Sequence, residues 1–222
     1  MLVYLKLEAS LQPSIIFINM LLYEEILKIK NLMNLNESKM NKTNLFYKFD
    51  YSTFKDVPPP SDNSEKTKEE IKYLKSINLD KLFVQEKDDM LGTFMEFLDN
   101  KRIDYNKKFL KKVYDDMYYV VLDLKSFYKR PRPFRLDPKL TDSMLDSMEG
   151  FAYPSGHSTT SNLLCMILSY LYPKYKKDFN KLCGDITYSR QMAKAHYPSD
   201  IEFGKKLAKS MFKYLKDNDL IS

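Results

Sequence analysis

The clearest periodicity in the chain runs from Tyr105 to about Tyr128. Phe109, Leu110, Val113, Tyr114, Met117, Val120, Val121 and Leu124 recur at spacings of three and four. Lys107, Lys108, Lys111, Lys112, Asp115 and Asp116 fill the other face. This is the stripe of an amphipathic helix laid on a core, and Pro131 and Pro133 stop it. A second helix is expected from just after Pro154-Ser155-Gly156 to about Tyr172. It is apolar nearly all round between Leu163 and Leu171, which marks it as the buried central helix, and Pro173 ends it. Lys177 to His196 reads as the next helix, halted by Pro198. Ser199 or Asp200 then caps a last helix to about Asp217.

The first half of the chain is less regular. Val57-Pro58-Pro59-Pro60 is stiff and extended. Thr67 and Glu70 have capping-box spacing for a helix continuing through Leu74. Lys87 to Leu98 places Met90, Leu91, Phe94, Phe97 and Leu98 on one side of a short helix. Asn78 to Gln85 is compatible with a loop, a short helix or a strand. Strand-like alternation is weak and no hairpin dipeptide separates two apolar runs. The expectation is an all-α fold, a compact helical bundle. Residues 1–45 read as an N-terminal arm with a short amphipathic helix over Ile15–Lys30, and 46–222 as a single helical domain.

Composition narrows the class. Of 222 residues, 44% are apolar, only five are Gly and none is Trp, which suits a globular helical protein. The net charge of +6 points to anionic partners such as phosphate compounds, nucleic acid or a membrane surface. A lysine-rich solvated surface accounts for it equally well. No run reaches the roughly 18 apolar residues of a membrane-spanning helix. Ile15–Leu22 is broken by Asn19, flanked by Glu8, Glu24 and Glu25, and lacks a small-residue cleavage site, so it does not read as a signal peptide. A cytoplasmic protein is the expectation, with export to a periplasm or peripheral attachment to a membrane as alternatives. Cys165 and Cys183 match no metal spacing and read as reduced thiols. No His, Asp or Glu cluster has metal-ligand spacing.

Three stretches carry candidate chemistry. In KSFYKRPRP, Lys125 and Arg132 lie seven apart where the long helix gives way to prolines, with Lys129, Arg130 and Arg135 adding charge. Residues 101–135 hold eleven basic and four acidic residues. A guanidinium fixed between prolines makes a fork for phosphate oxygens; the same cluster taken alone would serve as a solvated face. In YPSGH, Ser155 and Gly156 open the buried helix, where free N–H groups form an anion cradle that His157 would face. In SRQMAKAHYPSD, Ser189 and His196 are seven apart on the expected helix, Arg190 reaches the same pocket, and Asp200 follows the proline. A carboxylate there fixes the tautomer of His196 and frees its other nitrogen for attack. Alone, the pair reads equally as a helix-ending histidine and a helix-capping aspartate.

Together the stretches resemble the signature of the type 2 phosphatidic acid phosphatase and vanadium haloperoxidase superfamily. Its pattern is Lys, six residues, Arg-Pro; then Pro-Ser-Gly-His; then Ser-Arg, five residues, His, three residues, Asp. It is matched at Lys125, Arg132, Pro133, Pro154, Ser155, Gly156, His157, Ser189, Arg190, His196 and Asp200, with 20 and 31 residues between blocks. The resemblance covers about residues 105–215, and Pro58-Pro59-Pro60 resembles a segment of the soluble class A acid phosphatases. It implies that His196 takes the phosphoryl group, Asp200 orients it, and His157 protonates the leaving alcohol. Lys125, Arg132, Arg190, Ser155 and Gly156 would hold the phosphoryl oxygens. It implies no metal, and no cofactor except vanadate as an inhibitor or an alternative cofactor. The expected function is an acid-phosphatase-like phosphomonoesterase acting on a small phosphorylated substrate or a lipid phosphate, with no specific nucleic acid partner. The alternatives are a vanadate-dependent haloperoxidase and a non-catalytic helical protein that binds phosphate or nucleic acid. Two departures stand out. The chain lacks the spanning helices of the lipid phosphatases, and Lys194 and Ala195 stand where relatives often have a glycine, which would narrow the pocket.

Overall fold

The computed structural model describes residues 42–140, 148 and 150–221. The expected arm helix over Ile15–Lys30 lies outside the described residues. Among those described there is no strand and no helix long and apolar enough to cross a membrane. A 3₁₀ turn at Ser52–Asp56 leads into the extended prolines. Eight helices follow among the described residues: α1 Glu65–Ser76, α2 Lys81–Glu86, α3 Met90–Asn100, α4 Lys107–Tyr128, α5 Pro133–Leu136, α6 Gly156–Leu171, α7 Lys176–Met192 and α8 Pro198–Asp217.

Five of these helices start by the same local chemistry. The side chains of Ser64, Asp80, Asp89, Asn106 and Ser155 accept hydrogen bonds from the N–H groups of Thr67, Phe83, Gly92, Phe109 and Ser158. Each satisfies a donor that the helix itself cannot. The long amphipathic helix forms as its pattern predicts: Leu110, Val113, Met117, Val120, Val121 and Leu124 of α4 are buried. The central helix α6 packs chiefly against α7 and α8, and more lightly on α4. Leu163, Leu164, Ile167 and Leu168 of α6 meet a core that includes Phe179 and Ile186 of α7 and Leu207, Met211 and Leu215 of α8. Apolar burial at this scale supplies the main drive for the fold.

Four expectations are revised. The cap of α1 is Ser64, not Thr67; Thr67 and Glu70 are both buried on the inner face of that helix. Asn78–Gln85 contains the short helix α2, and the chain breaks at Lys87–Asp89, so the following helix starts at Met90 and not Lys87. The helix expected to reach His196 stops at Met192. Ala195 N–H bonds to the Arg190 carbonyl and Lys194 N–H to that of Gln191, a Schellman closure. Lys194 holds its left-handed position at φ 57° with no glycine. Its Nζ donates to the Ile77 carbonyl at 2.5 Å. Finally, Asp200 is the third residue of α8 and not its cap; it accepts from Tyr197 N–H at 2.9 Å.

Two glycines separate packing from propensity. A Cβ on Gly204 of α8 would lie 3.0 Å from the Ser155 carbonyl, Ser158 Cβ and Thr159 Oγ1, so α8 can press on the start of α6 only without a side chain there. A Cβ on Gly184 of α7 would meet nothing within 4 Å. Gly204→Ala should therefore destabilise by about 1–3 kcal/mol through overpacking. Gly184→Ala should stabilise by about 0.5–1 kcal/mol by restricting the unfolded chain. Denaturant unfolding of the two variants checks both signs.

Candidate active site

The three sequence stretches converge where α4 ends and α6 and α8 begin. Lys129 closes α4 in a left-handed conformation at φ 53°. Beyond it the Arg130 carbonyl accepts from Ala152 N–H at 2.9 Å, which lays the basic segment beside the one leading into Tyr153–Pro154–Ser155. The Tyr153–Pro154 peptide is cis. Ser155 N–H donates to the Asp200 carbonyl at 3.1 Å, and Ser158 Oγ to that of Ile201 at 2.9 Å, so α6 and α8 start side by side. All eight predicted site residues are buried: Lys125, Arg132, Ser155, Gly156, His157, Arg190, His196 and Asp200.

His196 lies on the loop between α7 and α8, not on a helix face shared with Ser189. Arg132 Nη1 sits 3.1 Å from its Nε2 and donates to the Ala195 carbonyl at 3.0 Å. A guanidinium can only donate, so Nε2 is the lone-pair nitrogen and Nδ1 carries the proton. Nδ1 faces Asp200 Oδ2 at 3.4 Å. Burial, then Arg132 and Lys125 beside it, hold the His196 pKa well below the usual 6.5. The ring is therefore neutral, with its nucleophilic nitrogen turned toward the cations.

Each cation is fixed by protein oxygens. Lys125 Nζ donates to the Phe151 carbonyl, and burial together with Arg132 pushes its pKa well down. Arg132 also reaches the Gly150 carbonyl at 3.3 Å, and burial lowers it to about 10. Arg190 donates from Nε to Ser189 Oγ at 3.0 Å and from Nη2 to the Val84 carbonyl at 2.9 Å. Ser155 caps α6, whose first N–H groups, starting at Gly156, have no carbonyl one turn back to bond. Lysine and arginine charges beside a helix start make a cradle suited to a multiply charged anion. The Lys194 side chain is tied to the Ile77 carbonyl.

His157 Nε2 lies 3.1 Å from both the carbonyl and Oδ1 of Asp88, and 3.3 Å from Arg190 Nη1. Burial lowers its pKa, an effect that Asp88 opposes. Among the described residues no group of three or more His, Cys, Asp or Glu is placed to hold a metal ion.

Sequence reasoning missed two parts of this site. The first is Arg130, which counts in sequence only as added charge. It is buried, with Nη1 2.6 Å from Asp200 Oδ1 and 2.7 Å from Ser199 Oγ. Its Nη2 lies 3.3 Å from Glu70 Oε2 and from Thr67 Oγ1, and its guanidinium stacks 3.8 Å from the Tyr197 ring centre. Glu70 also accepts from Ser199 N–H at 2.7 Å. Asp200 thus holds Arg130 with one oxygen and faces His196 with the other. The available signal was helical register: Thr67, Glu70 and Leu74 share the buried face of α1, and a carboxylate on such a face needs a partner. The second missed part is Asp88. Asp89 caps α3, while its neighbour in the doublet meets Arg190 and His157.

Comparison with known proteins gives a match over the same part of the chain. Residues 117–213 match the PAP2 superfamily, and all eight predicted site residues fall within that span. Over 91 residues the chain is 32% identical to a non-specific acid phosphatase of Salmonella typhi and 31% identical to one of Salmonella typhimurium. Each match covers 40% of this chain and spans 36% of the relative's length.

Two outcomes are expected. Arg130→Met leaves the Asp200 and Glu70 carboxylates buried without their cation and should cost about 3–5 kcal/mol in denaturant unfolding at pH 7. The histidines add a pH dependence. Both have folded pKa values below 6.5, so the unfolded chain takes up protons that the folded one refuses. Their stability is whole above pH 6.5 and lost as pH falls toward the folded values. The denaturation midpoint of the ligand-free protein should drop between pH 7.5 and 5.5, and less steeply in His196→Gln.

Proposed function

We propose, from the premise that this chain carries a PAP2 superfamily domain, that it is a phosphomonoesterase working through a phosphohistidine at His196. The observation that carries this reading is the pair of contacts on the His196 ring. Arg132 marks Nε2 as the lone pair, and Asp200 faces the protonated Nδ1. A neutral, oriented imidazole held among cations is the arrangement a phosphoryl acceptor requires.

In the first step Nε2 attacks phosphorus, the N–P bond forms, and the bond to the ester oxygen breaks. His157, the other histidine, supplies the proton that the departing alkoxide takes. The imidazolium-like ring is stabilised through Nδ1–H by Asp200, which Arg130 holds in place. In the second step water gives a proton to His157 and its oxygen attacks phosphorus. The N–P bond then breaks and phosphate leaves. Lys125, Arg132, Arg190, the Ser155 hydroxyl and the Gly156 N–H offset the equatorial oxygens throughout. No step draws on a metal ion. The substrate is a small phosphate monoester or a lipid phosphate, and vanadate, which mimics the five-coordinate phosphorus, is expected to inhibit. A nucleic-acid role finds less support, because Lys125, Arg130 and Arg132 of the basic segment are buried and not offered to a polyanion.

The test is phosphate release from p-nitrophenyl phosphate with excess chelator. The native chain should turn over, and His196→Ala should lose at least about a thousandfold in kcat while still binding vanadate. Equal loss of binding and turnover in His196→Ala would remove the nucleophile assignment. No chelator-resistant turnover on any monoester would remove the phosphatase reading.

A further inference from the structure

The least expected group in the site is a carboxylate. Asp88 sits in the three-residue link between α2 and α3. A single oxygen, Oδ1, accepts from Arg190 Nη1 at 2.5 Å and lies 3.1 Å from His157 Nε2. The other two nitrogens of Arg190 are engaged elsewhere, by Ser189 and Val84. Nη1 is therefore the arm left for a ligand, and Asp88 holds it. The Asp88 side chain is 30% exposed, against 1% for Arg190 and 11% for His157. It is the most exposed member of this trio, and it hangs from a short link, not from a helix.

We propose that Asp88 is an internal anion that stands on Arg190 and His157 in place of a phosphoryl oxygen, and that substrate must displace it. This rests on the reading of the cradle as a phosphate site. A carboxylate oxygen and a phosphoryl oxygen are interchangeable acceptors for a guanidinium and an imidazole N–H. They cannot share the position, since two negative oxygens at contact repel strongly in a buried site. Displacement of Asp88 therefore opposes binding of any phosphate, substrate or product. Weakened ground-state binding does not lower kcat, and it hastens product release. Asp88 thus sets how tightly the site holds phosphate. Without a ligand it also keeps two buried donors paired, one of them the Arg190 cation, which is the reason the site tolerates an acid at its mouth.

Calorimetric titration of inorganic phosphate into the full chain tests this, comparing native protein with Asp88→Asn and Asp88→Ala. Asp88→Asn removes the charge and keeps an acceptor; Asp88→Ala removes both. Phosphate should bind at least about tenfold more tightly in Asp88→Ala, with Asp88→Asn between it and the native chain or equal to it. Binding in Asp88→Ala no tighter than in the native chain overturns the proposal. So does a lowered kcat on p-nitrophenyl phosphate with phosphate affinity unchanged, which would make Asp88 an orienter of His157. Titration reads binding alone, so a chain without turnover would sink the phosphatase reading and leave this result standing.

Discussion

Everything in the site turns on one buried carboxylate. Asp200 is fully enclosed, and burial pushes its pKa up. Arg130 at 2.6 Å and the Tyr197 N–H at 2.9 Å work against that push. An unpaired charge at such a depth would cost several kcal/mol, so Asp200 and Arg130 are tolerable only together. Arg130 in turn reaches α1 through Glu70, and Glu70 holds the first turn of α8 through Ser199. The ion pair therefore ties the first described helix, the exit of α4 and the start of α8 to one point. The orientation of His196 depends on that point being fixed.

The same burial sets the chemistry. Lys125, Arg132 and Arg190 are enclosed with backbone carbonyls as partners, and desolvation presses all three toward the neutral form, with Arg132 adding to the push on Lys125. Burial and the field of these cations together keep His196 unprotonated. A neutral histidine beside three cations is unfavourable to protonate and favourable to join to a phosphoryl dianion. The features that destabilise the cradle by itself are those that favour a bound anion. Packing holds them in place: the contact of Gly204 with the Ser155 carbonyl brings the N-termini of α6 and α8 together.

The helical frame was legible because it rests on periodicity. The stripe of α4 and the apolar run of α6 each have one way to be buried, and their prolines and caps mark the ends. The eight candidate residues that the fold brings together could be named from the sequence because their spacing repeats a known signature. What the sequence hid was hidden for physical reasons. The end of α7 lies at Met192 because a Schellman closure forms with Lys194 in the left-handed position, a role for which glycine is the usual marker. Thr67 and Glu70 imitate a capping box because the i, i+3 spacing of that motif is also the spacing of one helix face. Arg130 sits among five basic residues, and nothing in the string says which of them turns inward.

The residues proposed to do the chemistry and those proposed to tune it come from different parts of the chain. Lys125 to Asp200 lie within the span matched by the PAP2 superfamily, whereas Thr67, Glu70 and Asp88 lie before it, on α1 and the α2–α3 link. The first group is bound by geometry: in the proposed reaction, moving Nε2, Asp200 or the cradle by an ångström would cost about a hundredfold in rate. The second group is bound only by charge balance. Arg130 needs a carboxylate to offset it, and Arg190 needs an acceptor for Nη1, but either need can be met from more than one backbone position. Substitutions in this part of the fold can thus change how strongly an anion is held without changing what is done to it. Differences in phosphate affinity among proteins with this cradle should therefore be sought in the helices that precede α4.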